Sequence, residues 1–305
     1  EKAARAELKA GTQFGARLIF RGDEMYPPAL CDLNDAPPML WVKGRIELLR
    51  TKTVAMVGAR NASSLGTRMA KFLGQELGAA GWTIVSGLAR GIDAAVHTIT
   101  LDTGTIAVLG GGIDVFYPTE NRALAEHIAT KGLLISEQPM GLQPMARHFP
   151  MRNRLISGLA RGVIVIEAAA KSGSLITARN ALDQGRDVLV VPGHPFDARA
   201  SGCNMLLRDG ATLVRHGEDV IEALEAPQQY SFDIPTPPSE PKRSLHETSQ
   251  LHQQILNRLS TSGIVEDQLI RDLHSSPAEI SSVLLEMELS GHVERQAGGL
   301  LSRRI

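Results

Sequence analysis

From residue 53 onward, short apolar runs alternate with stretches in which apolar residues recur three and four positions apart. The runs at 53–58, 82–86, 105–110, 133–137, 162–167, 187–192 and 211–214 are apolar throughout rather than alternating, and rich in Val and Ile. That pattern predicts parallel strands covered on both faces. Helical spacing falls between them at 64–80, 91–101, 119–131, 152–160, 173–184, 201–208 and 217–225. With right-handed crossovers this is an α/β fold: an extended Rossmann-like, doubly wound, mainly parallel sheet filling residues 1–225, with 1–50 as a lead-in segment. Residues 226–246 carry Pro227, Pro235, Pro237, Pro238 and Pro241 among polar neighbours and read as an extended linker. Beyond it, 247–305 predicts helices at 251–260, 265–273 and 277–290 and a hairpin at 292–304 around Gly298-Gly299, a small winged-helix domain. Ser276-Pro277 ahead of Glu279 supplies an N-cap, a proline at the first helical position and an early acid for the third helix. The segment Ser86–Ile92 recurs almost letter for letter at Ser157–Val163. The first copy leaves a strand and the second enters one, so we read shared turn chemistry rather than a duplicated unit.

Composition narrows the function classes. The 305 residues, 43% hydrophobic and 21% charged, suit two globular units and exclude a disordered, collagenous or disulfide-scaffold chain. No run approaches about 20 apolar residues, and the start Glu1-Lys2-Ala3-Ala4-Arg5 lacks a signal-peptide core. Neither a membrane partner nor export is therefore expected, and a cytoplasmic location is the default. A first residue other than Met points to a truncated chain. Cys31 and Cys203, far apart and without CxxC spacing, are expected to be buried thiols rather than a disulfide or zinc ligands. A net charge of −1 leaves any polyanion partner to be argued from local patterning.

The informative motifs all fall at carboxyl ends of predicted strands, where open α/β sheets bind ligands. Val57-Gly58-Ala59-Arg60-Asn61-Ala62-Ser63-Ser64 leads from strand to helix, but Arg60 and Ser63 break the GxGxxG fingerprint and disfavour a dinucleotide. Arg60 carries charge into the crevice or caps a neighbouring helix. No GxxxxGK[ST] occurs, which excludes a P-loop. Ser86-Gly87-Leu88-Ala89-Arg90-Gly91-Ile92-Asp93 and Gly110-Gly111-Gly112-Ile113-Asp114 follow two further strands. The glycine triplet suits an anion nest or close chain packing equally. Asp93 and His97 have i,i+4 spacing, but with no Ser or Cys nucleophile at a fitting distance a structural hydrogen-bonding role is preferred. Asp114 and Glu120 form an acid pair of low specificity, and His194 in Pro192-Gly193-His194-Pro195 reads as turn chemistry.

Two signals are stronger. No acid stands between Glu137 and Glu167, a window holding Arg147, His148, Arg152, Arg154 and Arg161 with Phe149, although residues 53–225 hold 16 basic and 16 acidic residues. Cations interleaved with an aromatic suit single-stranded nucleic acid, the alternative being a solvated face with Phe149 as a core anchor. Lys171-Ser172-Gly173-Ser174-Leu175-Ile176-Thr177 opens a helix at a strand end and provides a cation, hydroxyls and free N–H groups for phosphate. The winged helix points the other way. Residues 245–305 carry five basic and eight acidic residues, and the third helix has Glu279, Glu286 and Glu288 but no Lys or Arg. Protein contact is favoured there over DNA, with Arg295, Arg303 and Arg304 leaving a wing contact open.

Taken together, the motifs from Val57 to Ala178, with Tyr117-Pro118-Thr119-Glu120-Asn121 and Phe149-Pro150-Met151-Arg152-Asn153-Arg154, resemble the DNA-processing protein A (DprA/Smf) family over about residues 26–215. The lead-in Tyr26-Pro27 and Asp35-Ala36-Pro37-Pro38-Met39-Leu40-Trp41-Val42-Lys43-Gly44 fits it too. The family's helical N-terminal module is expected to be mostly missing. The resemblance implies a homodimer, formed through the Rossmann-like domain, that coats single-stranded DNA and passes it to a RecA-type recombinase during natural transformation, with no catalytic residue, metal or cofactor. By position it implies that Arg60 contacts phosphate and that Phe149 stacks a base. Arg152, Asn153, Arg154, Lys171, Ser172, Gly173, Ser174 and Thr177 would line the same pocket, joined by Ser86, Gly87, Arg90 and, more loosely, Arg147. The runner-up is an enzyme resembling nucleotide phosphoribohydrolases with a PGGxGT loop; Gly110-Gly111-Gly112-Ile113-Asp114 stands where that loop would fall but lacks its Thr and Glu. A dinucleotide oxidoreductase and a winged-helix transcription regulator fit less well.

Overall fold

The computed structural model describes residues 1–225, 245–259, 263–273, 275–296 and 299–303, with the side chains of 245–249, 278 and 279 left aside. The chain divides into two compact units, Glu1–Gln228 and Gln229–Ile305. The proline-rich segment 226–244, Gly298 and Arg304 lie outside the described residues, as does the side chain of Glu279.

In the first unit, strands β1 (Arg17–Phe20), β2 (Met39–Gly44), β3 (Thr53–Val57), β4 (Thr83–Ser86), β5 (Thr105–Val108), β6 (Leu133–Ser136), β7 (Gly162–Val165), β8 (Asp187–Val190) and β9 (Thr212–Leu213) form one sheet. Its order is β1-β2-β6-β5-β4-β3-β7-β8-β9. Strands β3 to β9 pair in parallel, whereas β2 joins β6, and β1 joins β2, antiparallel. The lead-in thus extends the sheet by two strands. The helices are α1 (Lys2–Phe14), α2 (Pro28–Cys31), α3 (Ser64–Ala79), α4 (Ile92–Ile99), α5 (Arg122–Lys131), α6 (His148–Gly158), α7 (Ser174–Asp183), α8 (Ser201–Arg208) and α9 (Gly217–Glu225).

The uniformly apolar strands follow from helices on both faces. Along β3, Val54 and Met56 enter a core with Leu73 and Leu77 of α3, while Ala55 and Val57 enter another with Leu155 of α6 and Ala178 of α7. Burial on both sides removes the polar alternation of a half-exposed strand. Chain order runs β3-β4-β5-β6 one way and β7-β8-β9 the other. The topological switch point therefore lies between the carboxyl ends of β3 and β7, where such sheets open a crevice.

Helix α6 begins at His148, four positions before the predicted start. Pro150 falls in its first turn, where backbone N–H groups have no intrahelical acceptor and proline is tolerated. Cys203 is buried, and burial pushes its thiol up to about 11, but Cys31 at the end of α2 is exposed, contrary to expectation.

The second unit holds α10 (Leu245–Arg258), α11 (Glu266–Leu273) and α12 (Pro277–Leu289) with an antiparallel sheet of β10 (Ile264–Val265), β11 (Val293–Arg295) and β12 (Leu300–Arg303), ordered β10-β12-β11. Ile255, Leu269, Ile280, Leu284 and Leu301 form its core. The wing residue Arg295 is committed internally, to Glu266 at 2.9 Å and Glu288 at 3.0 Å.

Candidate nucleic-acid interface

A crevice of about 770 Å³ opens at the switch point, lined by the β3–α3 turn, α6 and the loop that leads from β7 into α7. Its cations are Arg60, Arg152, Lys171 and Arg199, against Asp93 as the lining carboxylate. Asn153, Ser172, Gly173, Ser174 and Thr177 also line it, and α7 starts at Ser174 with its first N–H groups at this wall. Free N–H groups at a helix start favour an anion.

The aromatic wall is built from the first turn of α6 and the loop that follows β5. Phe149, half-buried on α6, packs against exposed Tyr117 with ring centroids 5.5 Å apart, and the Arg60 guanidinium lies 5.5 Å from the Phe149 centroid. Between them, Gly87, Ala89, Arg90, Pro118 and Arg152 complete a niche of about 110 Å³. A planar group entering beside Phe149 meets an aromatic face and a guanidinium together, the pairing used to hold unpaired bases.

Beneath this surface the turn after β4 is held rigidly. Leu88 adopts φ 56°, unusual for a residue with a branched side chain. The strain is offset by a convergent set of hydrogen bonds. Gly87 N and Ala89 N donate to Asp93 at 3.2 and 3.3 Å, Leu88 N donates to His97 Nε2 at 3.3 Å, and Asn121 Nδ2 donates to Leu88 O at 2.9 Å. Arg152, 5% exposed, donates from Nη1 to Gly87 O at 2.7 Å and also to Val108 O. A Cβ at Gly87 would fall 2.7 Å from the Arg152 guanidinium, so only glycine admits this clamp. Asp93 and His97 therefore have the structural role preferred from the sequence. Burial raises the Asp93 carboxyl, against the charge of Arg152, and lowers Arg152 to about 10, which leaves it cationic at neutral pH.

Burial, with the Arg152 charge second, pushes His97 from an ordinary 6.5 down to about 3. The unfolded chain takes up this proton near pH 6.5 and the fold refuses it, so stability from His97 is complete above 6.5 and is lost as pH falls toward 3. The limiting slope is about 1.4 kcal/mol per pH unit. Urea midpoints followed from pH 8 to pH 4 should fall more steeply for the native chain than for His97→Gln; parallel profiles would contradict this assignment.

Several expected site residues lie elsewhere. Arg154 does not line the crevice: it pairs with Asp35 and Glu137, each at 2.7 Å. Ser86 is fully buried and donates to Met56 O at 2.7 Å. Arg147 is exposed but lines neither cavity, and Arg161 stands at the opposite end of the sheet, before β7. Arg90 borders the niche while paired to Glu120 at 2.7 Å. The glycine triplet serves packing: Gly112 N donates to Leu142 O, and Gly110 backs onto Phe149. Asp114 accepts from Gly141 N at 2.8 Å.

Three residues were not foreseen. Tyr117 and Arg199 line the crevice, and Glu167 seals the start of α3. Its carboxylate accepts from Ser63 N at 2.8 Å and from the Ser63 hydroxyl, which itself caps Gly66 N at 2.9 Å. The protein's own carboxylate thus occupies the place where a dinucleotide fold binds pyrophosphate, which argues against NAD or FAD more strongly than Arg60 does. Among the described residues no group of three His, Cys, Asp or Glu could hold a metal, and no helix is long and apolar enough to cross a membrane.

The family model described as DNA recombination-mediator protein A matches residues 17–225, and that of the DprA winged helix domain matches 238–299. The chain belongs to the DNA recombination-mediator protein A family. DNA processing protein DprA of Streptococcus pneumoniae is 46% identical over 205 residues, 67% of this chain and 72% of that protein. Protein Smf of Escherichia coli is 36% identical over 295 residues, covering 94% and 77%. Among solved structures, DprA of S. pneumoniae superimposes with a TM-score of 0.66 at 44% identity, over 68% of this chain and 74% of that one. The structure describing the single-stranded DNA binding mode of DNA processing protein A from Helicobacter pylori gives 0.64 at 30% identity, over 70% and 97%. The recombination-mediator domain accordingly coincides with the unit that carries the crevice, and the winged-helix match falls on the second unit.

Proposed function

We propose that this protein binds single-stranded DNA in the crevice between β3 and β7, protects it and delivers it to a RecA-type recombinase as a homodimer, without turnover of a substrate. The observation that carries the reading is the union of Phe149, Tyr117 and Arg60 with Lys171 and the α7 N-terminus in one crevice. The first group supplies stacking and the second supplies phosphate contacts. The H. pylori relative's single-stranded DNA binding supports the same ligand. Recombinase delivery, the homodimer and a cytoplasmic location rest on family membership. Packing of Gly111 and Gly112 against residues 139–144 favours a non-catalytic role over a phosphoribohydrolase.

Fluorescence anisotropy with labelled oligo-dT and a duplex of equal length tests the reading. Single-strand preference is expected, with log–log salt dependence near −0.7 per phosphate neutralised. Glu286→Lys on the acidic α12 should leave the affinity within about twofold, consistent with a solvated surface charge outside the interface. Absent preference, or base release from nucleoside monophosphates, would favour the enzyme instead.

A further inference from the structure

Within the basic window Arg161 stands at the opposite end of the sheet from the crevice, and its surroundings form a second site. A separate cavity of about 260 Å³ lies at the amino ends of the strands, lined by Arg50, Arg161 and Arg186 together with Leu49, Ile106 and Leu159. The three arginines come from different segments. Arg50 closes the 3-10 turn Ile46–Arg50 before β3, Arg161 precedes β7 with its N–H donating to Thr53 O at 3.0 Å, and Arg186 precedes β8. The length of β3, at about 3.3 Å per residue, separates this cavity from the crevice by roughly 15 Å.

Its charge is uncompensated: among the described residues Arg50, Arg161 and Arg186 have no carboxylate partner, and no carboxylate lines the cavity. Arg161 lies over the Trp82 ring at 5.7 Å, and Arg186 Nη2 donates to Ala29 O at 3.1 Å. Arg186 Nε is buried with no acceptor. Guanidinium groups without counter-charge, beside an unsatisfied buried donor, mark a place built for an acceptor-rich anion. The planar fork matches phosphate oxygens, and the apolar wall of Leu49, Ile106 and Leu159 suits a sugar or base rather than a bare ion.

We propose that this cavity is a second nucleotide-phosphate site, taking a phosphate ester either from a free nucleotide or from a single strand that continues past the crevice. The second source rests on the function proposed above. The test uses the full chain, the charge reversal Arg50→Glu/Arg161→Glu and the crevice variant Arg60→Ala/Phe149→Ala. The ligands are dTMP, read by calorimetry, and labelled dT6 and dT20, read by anisotropy.

For a free nucleotide, dTMP binds the crevice variant as it binds the native chain, and the reversal weakens it at least tenfold. For a continuing strand, the reversal weakens dT20 at least fivefold, flattens its salt slope by about 1 to 2, and leaves dT6 unchanged. In either case Arg50→Lys/Arg161→Lys, which keeps the charge but loses the planar fork, weakens binding by clearly less than the reversal does. Unchanged binding of all three ligands by the reversal overturns the proposal. So does equal loss in the reversal and in the Lys variant, which would signal a disturbed fold. Failure of the crevice variant to weaken dT6 would contradict the function proposed above and leave the dTMP result standing.

Discussion

Replacing Arg152 with methionine is expected to destabilise the first unit by about 3–5 kcal/mol, the range for removing one partner of a buried charge pair. The side chain is 5% exposed, and its guanidinium bonds the carbonyls of Gly87 and Val108 while compensating the buried Asp93. Methionine fills much of the volume but takes the guanidinium donor from two carbonyls and the counter-charge from the buried Asp93. Asp93→Asn in the same chain should recover part of the loss, because the uncompensated charge disappears while Asn retains an acceptor for Gly87 N and Ala89 N. Urea denaturation of the two variants checks this. A loss under about 1 kcal/mol for Arg152→Met would contradict the clamp, being no more than an ordinary surface substitution.

The other large effect is on the ligand. Phe149→Ala removes the ring between Tyr117 and Arg60 and should weaken single-strand binding by about 1–3 kcal/mol, roughly 5- to 150-fold, the measured range for one stacked base. Arg60→Ala should weaken binding less but change its salt dependence, lowering the slope by about 0.7 as one phosphate contact is lost. The two signatures differ because stacking releases no counterions. Anisotropy titrations between 50 and 300 mM salt separate them, and an unchanged slope for Arg60→Ala would place that guanidinium off the phosphates.

Much of this was legible from residue pattern alone. Strands buried on both faces lose polar alternation, so β3 to β8 stand out as apolar runs, and a glycine-bearing turn follows β3, β4 and β5. The antiparallel strands β1 and β2 were hidden. β1 spans only Arg17–Phe20 with mixed burial, and the stretch 21–38 with α2 inside it separates the strand from β2, so no short hairpin turn marks the pair. Arg152 and Arg154 illustrate a different limit. Two positions apart on α6, they point to different faces, Arg152 into the turns after β4 and β5 and Arg154 toward Asp35 and Glu137. Helical spacing alone separates them, yet a reading by charge content groups them together. Tyr117, Glu167 and Arg199 could not be ranked from sequence, because each acts through neighbours that only the folded chain supplies: Phe149 for Tyr117, Ser63 for Glu167 and the crevice wall for Arg199.

In the proposed complex one unpaired base rests against Phe149 while its backbone meets Arg60 and Lys171. Photocrosslinking with an oligo-dT carrying a single 5-iodouracil, followed by peptide mapping, locates that base. Crosslinks should be confined to the peptides containing Phe149 and Tyr117 and be lost in Phe149→Ala under conditions of equal occupancy. Crosslinks concentrated in α12 or in the β11–β12 wing would contradict it and move the DNA contact to the second unit.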